Sequence, residues 1–517
     1  MFNILCDFCT FCEGQVFAIL QPRKTAMIEN QPDIGSPQPL SKKIFRGVVW
    51  VFTLRLIVRG LGFVKTVILA RLLAPEDFGV LGIAMLAVST VETFSQSGFN
   101  AAIIQKMDNT KSSLDTAWTV SAIRGALLFC ILFFAAPLVA SFFELPQAIL
   151  VIKVIAITTL VSGFTNIGIL FFQRELDFKR QFLYGFFPTL INLIVGITLA
   201  FMLRSVWALV WGVIAGSVIG LVLSYALHSY RPRIDLNKHE LRDLFSFGKW
   251  LLASTILVFL LTKGDDILVG KMLGATALGL YQMAYLISNL PTTEIVHVVS
   301  QVTFPAYSKL HNDAVRVSEA YHKVLQLTAF FSFPLAGLIF VTAPEFTRLF
   351  LGEKWLSMVP AMQVLCIFGV SRSINANFGV FFLGIGKPDV STKASFGQLI
   401  IMAIIIYPLS LSWGIYGTSI AIIVPNMLIL MYLCNKLYAH PLFPLKSFLK
   451  QILIPLGCAT VAVIGVSILK ACFNSVLFKF CFALIAGTFL YLSCIYFMER
   501  FVNYGIGNNI RKITSNI

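Results

Sequence analysis

The sequence predicts an all-α polytopic membrane protein with about 14 transmembrane helices, built as two pseudo-repeated six-helix lobes plus a terminal helix pair. Three observations predict this fold. Of the 517 residues, 57% are hydrophobic and only 12% are charged, whereas a soluble protein carries roughly a quarter charged residues. Apolar stretches of the roughly 20 residues that a spanning helix needs recur along almost the whole chain. A weak internal repeat relates the two lobes.

Apolar runs that end at prolines, glycines and charges divide the chain into fourteen segments. They are predicted near 44–72, 78–104, 114–143, 147–173, 179–203, 206–228, 243–271, 277–308, 318–350, 356–384, 390–411, 414–437, 450–470 and 477–499. The predicted domains follow from them: a cytoplasmic N-terminal segment (1–43), the N-lobe with helices 1–6 (44–228), a cytoplasmic linker (229–242), the C-lobe with helices 7–12 (243–437), and helices 13–14 with a cytoplasmic tail (438–517).

The N-terminal segment begins with a cysteine cluster, CDFCTFC at residues 6–12. Its spacing is that of a cluster-binding loop, but no fourth cysteine follows nearby. We therefore favour residues 1–26 as an upstream extension, with Met27 beginning the working chain. The run lacks the basic start and small-residue cleavage site of a signal peptide. The other cysteines lie mostly in apolar segments, so the sequence predicts no disulfide framework, no metal and no cofactor.

Charge is distributed unevenly among the connectors. The chain has 40 Lys and Arg against 24 Asp and Glu, a net charge of +16. Most basic residues fall in the N-terminal region and in alternate connectors, which membrane topology explains without a nucleic-acid partner. An even number of spans then places both termini in the cytoplasm. The opposite connectors are short and leave no room for an external catalytic domain, so we expect a protein that is not an enzyme.

The internal repeat appears when the sequence is shifted so that Phe45 meets Phe245. ARLLAPEDFGVLGIAML (70–86) then falls on GKMLGATALGLYQMAYL (270–286) without a gap. Weak self-similarity at such a period is typical of transporters with duplicated halves.

The repeat also bears on two adjacent carboxylates, Glu76 and Asp77, in the first external turn. A transferase could use them as a base, yet the second lobe builds the same turn as GATALG, without an acid. Pro75 followed by two acids is favourable at a helix start, because proline has no N–H to satisfy and the acids meet the positive end of the helix dipole. Capping is the favoured interpretation.

The first lobe carries several charges within its predicted spans. Arg55, Arg59 and Lys65 lie on the first segment, Glu92 on the second and Arg124 on the third. Arg59 and Glu92 share a depth and are able to pair. Each buried charge costs at least about 2.5 kcal/mol on insertion scales, so each needs a partner, water or an interface. Buried ion pairs that lock helices together are one interpretation; because arginine outnumbers acid, an anion site is favoured.

The second lobe is more balanced. Lys263 and Asp266 are three residues apart on one helix and are predicted to pair, beside Asp265. Glu294 and His297 follow Pro291 on one face of a kinked helix, which makes a proton or cation relay an open alternative to a structural role. A further deep cation is Arg372 in the tenth segment.

Three stretches carry a family resemblance. KKIFRGVVWVF with ARLLAPEDFGVLGIAM, the second-lobe TKGDDILVGKMLGATALGLYQMAYLIS, and the terminal pair resemble the polysaccharide flippases of the multidrug, oligosaccharidyl-lipid and polysaccharide exporter superfamily, in its exopolysaccharide and lipopolysaccharide branch. The likeness covers about 42–500. It implies two lobes around a central cavity and alternating access that carries an undecaprenyl-diphosphate oligosaccharide across the bacterial inner membrane. Partnership with polysaccharide polymerase and chain-length proteins is left open by the sequence.

A diphosphate needs cations that stay charged at low dielectric, and arginine supplies a bidentate donor fork. The predicted substrate-binding residues are therefore Arg55, Arg59, Arg124 and Arg372. Sugar contacts are expected at cavity-facing polar groups such as Gln96, Asn100 and Asn375. Two alternatives stay open: a multidrug extruder of the same superfamily, whose cavity should favour acids and aromatics, and a membrane glycosyltransferase or polymerase, which needs a larger external loop.

Overall fold

The structure, a computed structural model, describes the backbone of residues 57–95, 111–175, 177–236, 238–310, 313–439, 443–502 and 504–505. Within these ranges the side chains of 111–113, 173–174, 238–254, 290–291, 294, 297–302, 305, 309 and 502 lie outside the description. Contacts divide the chain into two units that meet in the sequence between Ile256 and Leu257. The domain boundaries from the sequence stay a prediction.

The first unit is built from helices alone in its described part. They are α1 (57–72), α2 (Pro75–Phe94), α3 (Lys111–Phe142), α4 (Ala148–Ile155), α5 (Ile157–Gly163), α6 (Leu170–Arg174), α7 (Phe178–Leu203) and α8 (Val206–Leu227). A short 3-10 turn, Ile167–Ile169, precedes α6.

The long helix α9 (Lys238–Leu310) leads into the second unit. The helices that follow are α10 (Ala314–Phe346), α11 (Val359–Gly384), α12 (Pro388–Tyr438), α13 (Leu445–Leu469) and α14 (Val476–Val502). A π turn at Thr347–Leu351 and 3-10 turns at Glu353–Met358 and Lys470–Cys472 complete the connections.

Two glycines break the longest helices into pairs of spans. Gly274 in α9 has φ of 82° and Gly414 in α12 has φ of 57°, backbone angles that only glycine adopts readily. The hydroxyls of Ser410 and Thr418 lie 2.8 Å apart. In a continuous helix, residues with this spacing would be about 12 Å apart along the axis, so the chain reverses direction between them.

With these breaks the described helices follow the predicted segments in order, α4 to α6 together forming the fourth. Among the described residues, nine helices are long and apolar enough to cross a membrane, and α12 supplies two spans. The predicted all-α fold of about 14 transmembrane helices is confirmed. One boundary differs: α2 ends at Phe94, well before the end predicted at 104, and residues 96–110 lie outside the description.

The first unit packs through small residues. α7 lies along α8, and α3 along α4 and α5. A Cβ atom added at Gly125 on α3 would come within 2.7 Å of the Gly163 Cα on α5. Membrane helices are held by close van der Waals contact, since lipid offers no hydrophobic driving force between them. This crossing therefore depends on both glycines.

The helix start singled out in the sequence has the predicted chemistry. Pro75 is the first residue of α2, and the Ala74 N–H donates to Asp77 Oδ2 at 2.9 Å. The Gln147 side chain donates to Glu76 Oε1 at 2.7 Å. Both acids thus have structural partners at a helix N-terminus, and the capping prediction is confirmed.

The connector after α8 is bound to the first unit. The Asp115 carboxylate at the start of α3 accepts from the Tyr230 hydroxyl and, at 2.9 Å, from the Arg233 N–H. His228 Nδ1 accepts from the Tyr230 N–H at 3.1 Å. Burial lowers the pKa of His228. The described part of the predicted linker is therefore an ordered part of this unit.

In the second unit α10 packs against α11, α13 and α14 around a core that includes Tyr321. Two polar ties join α10 to the terminal pair. The Gln326 amide donates to the Tyr504 carbonyl at 2.8 Å, just after α14. At the other end of α10, Lys470 pairs with Glu345 at 3.1 Å. The terminal helices are thus an integral part of the second unit.

Candidate functional site

The predicted cation Arg124 lies against the end of α2. Its Nε and Nη2 donate to Ser95 Oγ at 3.0 and 2.9 Å, and Nη2 also donates to the Glu92 carbonyl at 3.0 Å. A cation is favourable at a helix C-terminus, where the last carbonyls lack partners. Arg124 therefore supports the end of α2, a role that the sequence reasoning missed.

The Glu92 carboxylate interacts electrostatically with Arg124. The sequence matched Glu92 with Arg59 by depth, and that pair stays a prediction. Arg59 is half-buried on α1. Arg55, Gln96 and Asn100 lie outside the described residues.

A second cation of the first unit, Lys65, joins α1 to α7. Its Nζ donates to Asn192 Oδ1 at 3.2 Å. Asn192 lies against Gly212 on α8, where an added Cβ would be 2.9 Å from the same oxygen. The absence of a side chain at Gly212 leaves room for the amide. Of the first-lobe charges singled out in the sequence, the structure describes three cations, Arg59, Lys65 and Arg124, and one carboxylate, Glu92.

The second unit contains a buried ion pair. Lys263 Nζ lies 3.0 Å from Asp266 Oδ2, with 20% and 8% of the two side chains exposed, so the pair predicted from the spacing is confirmed. Asp265 is also buried, and its Oδ2 accepts from the Tyr281 hydroxyl at 2.7 Å. The two adjacent carboxylates thus share one lysine and one phenol. Tyr281 was missed because a tyrosine in an apolar run is commonly only a core residue.

Arg372 on α11 donates from Nη1 to the Tyr285 hydroxyl at 3.1 Å. The Tyr285 ring neighbours the Tyr281 ring at a centroid distance of 6.4 Å. A continuous line of polar and aromatic groups therefore leads from the carboxylates on α9 to the guanidinium on α11. With two acids and two cations, Lys263 included, this network is balanced in charge.

A group of amides continues the line toward α12. The Asn375 Nδ2 donates to the Asn426 carbonyl and Oδ1 at 3.0 and 2.9 Å, and Ser371 Oγ donates to the same Oδ1 at 2.7 Å. Of the buried polar atoms that meet no partner among the described residues, three belong to amides of α9 and α11: Asn375 Oδ1, Gln282 Nε2 and Asn289 Oδ1. Unpaired buried polar groups are costly, so a polar ligand that reached them would gain affinity.

The remaining predicted coupling residues, Glu294 and His297, lie in the described backbone of α9, but their side chains lie outside the description. No group of three or more His, Cys, Asp or Glu side chains that could hold a metal occurs in the part of the chain that the structure describes. The cysteine cluster at residues 6–12 falls outside these ranges.

Comparison with known proteins places this arrangement in a family. Residues 68–360 match the family described as "Polysaccharide biosynthesis protein". The chain belongs to this family. The match covers residues of both units and both halves of the internal repeat.

Two relatives illustrate the family. The teichuronic acid biosynthesis protein TuaB of Bacillus subtilis (strain 168) is 26% identical over 371 residues, 71% of this chain and 77% of TuaB. The lipopolysaccharide biosynthesis protein WzxC of Escherichia coli (strain K12) is 26% identical over 360 residues, 68% of this chain and 72% of WzxC.

Among solved structures, the lipid II flippase MurJ in an inward closed conformation matches with a TM-score of 0.71 at 16% sequence identity. The match covers 87% of this chain and 99% of that one. At this identity the likeness shows the fold alone.

Proposed function

We propose that the protein is a flippase that moves undecaprenyl-diphosphate-linked oligosaccharide repeat units across the bacterial cytoplasmic membrane by alternating access. Its product would serve exopolysaccharide or lipopolysaccharide synthesis. The observation that carries the proposal is membership in a polysaccharide biosynthesis family by a chain of membrane-spanning helices. TuaB and WzxC are named for the synthesis of teichuronic acid and lipopolysaccharide, two cell-surface polymers. Transport of the lipid-linked unit breaks no covalent bond.

The proposed diphosphate contacts are Arg55, Arg59, Arg124 and Arg372. Arginine keeps its charge at low dielectric and binds phosphate through a fork of parallel donors. The excess of cations over carboxylate in the first-lobe spans supports this proposal. A site for organic cations, the alternative substrate class, would need the opposite balance. Arg124 would serve two roles, since it also supports the end of α2.

The sugar portion is proposed to contact the amides of the second unit. Asn375 Oδ1 and Gln282 Nε2 are buried without partners in the described chain and offer one acceptor and one donor. Hydroxyl groups of a sugar can both donate and accept, so a glycan satisfies either atom.

The balanced network around Lys263 is the proposed coupling element, with Glu294 and His297 as further candidates. Asp265 and Asp266 lie side by side in a buried site with one lysine. Gain of a proton by one carboxylate would relieve their repulsion and change the net charge of the site. Proton-driven transport predicts that Asp265→Asn, which keeps an acceptor for Tyr281, uncouples flipping from a pH gradient and leaves downhill flipping intact.

The surroundings of the protein follow from the same proposal. The basic connectors support cytoplasmic positions for both termini in the inner membrane. A polymerase and chain-length proteins that receive the flipped unit on the outer face are the proposed partners.

The experiment that tests the function is translocation of a fluorescent undecaprenyl-diphosphate oligosaccharide in proteoliposomes. Wild type is expected to be active, and both Arg59→Ala and Arg59→Lys to lose activity, because lysine cannot supply a bidentate fork. Arg180→Ala is the matched control: this arginine is 52% exposed and pairs with Asp177 at a helix start.

Two outcomes would contradict the proposal. Wild-type activity in both Arg59 variants would remove this residue from the substrate site and favour buried ion pairing. Failure of the wild type to move lipid, combined with transport of an organic cation by the same vesicles, would establish the multidrug alternative.

A further inference from the structure

An open cavity of about 430 Å³ lies in the second unit, where the first turns of α10 face the first turns of α13. Its lining includes His322, Lys323, Gln326, Lys450, Gln451 and Tyr504. None of these residues belongs to the network around Lys263 and Arg372. The cavity is therefore separate from the proposed transport site.

The cavity lies at the level of the lipid headgroups. α10 has 33 residues, about 50 Å of helix, against a hydrocarbon core of about 30 Å. Its continuous apolar run begins only near Leu325, and that of α13 begins at Ile452, after Lys446 and Lys450. Of the lining residues on these two helices, all but Gln326 thus precede the apolar part. They face the membrane surface at which Tyr504 lies. The distribution of basic residues among the connectors predicts that this surface is the cytoplasmic one.

Two buried acceptors point to a ligand that carries hydroxyl groups. His322 Nδ1 lies 2.8 Å from the Ser318 carbonyl, and because a carbonyl only accepts, Nδ1 carries the proton. In the neutral ring Nε2 is then an acceptor. The His322 side chain is 9% exposed, and neither its Nε2 nor Gln451 Oε1 meets a donor among the described residues. Hydroxyl groups would satisfy both atoms.

The charges of the lining point to a phosphate. Two lysines contribute, Lys323 and Lys450, against the single carboxylate of Glu319, which lies 3.8 Å from Lys323. The excess is positive. Beside Lys450, the side chains of Leu449 and Leu453 are 42% and 55% exposed on the lipid-facing side of α13. An apolar tail attached to the phosphate would therefore find an apolar surface next to the cavity.

We propose that this cavity binds the headgroup of an anionic phosphoglycerol lipid from the adjacent leaflet. The phosphate meets Lys450 and Lys323, and the glycerol hydroxyls donate to Gln451 and His322. Basic pockets between membrane helices at the cytoplasmic surface are known to hold headgroups of this type. Phosphatidylglycerol supplies all three features: a negative phosphodiester, two free hydroxyls and acyl chains. Free glycerol phosphate has two hydroxyls and a negative phosphate, as a monoester, but lacks the chains.

The test measures lipid binding to the purified full-length chain. Native mass spectrometry gives the affinity for phosphatidylglycerol and phosphatidylethanolamine, and thermal melting compares both lipids with sn-glycerol 3-phosphate. Lys450→Gln is expected to weaken phosphatidylglycerol binding about fivefold, as for one lysine near an anionic headgroup. Lys446→Gln, one turn earlier and outside the cavity, is the charge-matched control and should change the affinity less than about twofold.

Gln451→Leu separates a ligand role from a structural one. Its Oε1 has no donor in the described chain, so the lipid-free variant should melt at the wild-type temperature or higher. Binding of phosphatidylglycerol should nevertheless weaken.

Three results would overturn the proposal. Equal affinity for phosphatidylethanolamine would show that the phosphoglycerol is not recognised. An equal loss of affinity for phosphatidylglycerol in Lys446→Gln would mean that the lipid is attracted diffusely to surface charge. Stabilisation by sn-glycerol 3-phosphate as large as that by the lipid would assign the cavity to a soluble phosphorylated ligand.

Discussion

Replacement of Lys263 by methionine should destabilise the second unit strongly. The lysine lies 3.0 Å from Asp266, and both side chains are largely buried. The variant leaves Asp265 and Asp266 adjacent, buried and without their cation. Removal of one partner from a buried pair typically lowers the free energy of unfolding by about 3–5 kcal/mol, because the remaining charge stays desolvated. Asp266→Leu should lower the free energy of unfolding less, since Asp265 still offers a carboxylate to the lysine.

The double variant tests whether the pair itself stabilises the fold. Lys263→Met with Asp266→Leu replaces the ion pair by apolar side chains, and such replacements are often close to neutral. Asp265 then keeps the Tyr281 hydroxyl as its donor. A coupling energy of about 2–4 kcal/mol is therefore expected from the double-mutant cycle. The exposed pair Lys393 and Asp389, 3.5 Å apart with 73% and 61% of the side chains exposed, serves as the control. Its cycle should give no more than about 0.5 kcal/mol.

The assay is reversible unfolding in mixed detergent and SDS, with the tyrosine and tryptophan signal as readout. If Lys263→Met lowers the free energy of unfolding no more than removal of the exposed Lys393 does, the carboxylates are protonated or hydrated in the folded protein. The reasoning from burial is then refuted. If the double variant is stable but no longer couples flipping to a pH gradient, the pair belongs to the transport mechanism.

Three further predictions concern the first unit. Gly125→Val should separate α3 from α5 and lower the melting temperature markedly, whereas Gly185→Ala, with open space around its Cα, should not. Burial lowers the pKa of His228, and its Nδ1 accepts from the Tyr230 N–H. The stability of the fold should therefore fall as the pH drops from about 6.5 through the lower pKa of the folded state. In His228→Asn, the melting temperature should change less between pH 8 and 5. Asp77→Ala should cost about 1 kcal/mol of stability with flipping retained in the vesicle assay, since the carboxylate caps a helix.

The sequence was sufficient for features that depend on local order along the chain. The spans near Gly274 and Gly414 could be separated because apolar runs end there and only glycine tolerates the turn. The Lys263–Asp266 pair followed from a three-residue spacing on one helix, which fixes the geometry before any tertiary contact is known.

Contacts between helices could not be predicted in the same way. Depth along the helices matched Glu92 with Arg59, but depth says nothing of the direction in which a helix face points. The structure brings Arg124 to the end of α2, where Ser95 accepts from it, and depth alone gave no sign of this contact. Asn192 likewise becomes a partner of Lys65 only because a glycine on α8 leaves space beside it. Such pairs depend on how the helices pack.

The two polar ties of α10 restrict how the second unit can move. Gln326 and Glu345 are separated by about 28 Å along this helix, nearly the thickness of the hydrocarbon core. One is held by the Tyr504 carbonyl and the other by Lys470, so α10 is fastened to the terminal pair at both membrane faces. It cannot tilt without them. In the proposed alternating access, α10, α13 and α14 are therefore expected to move together or to stay in place together.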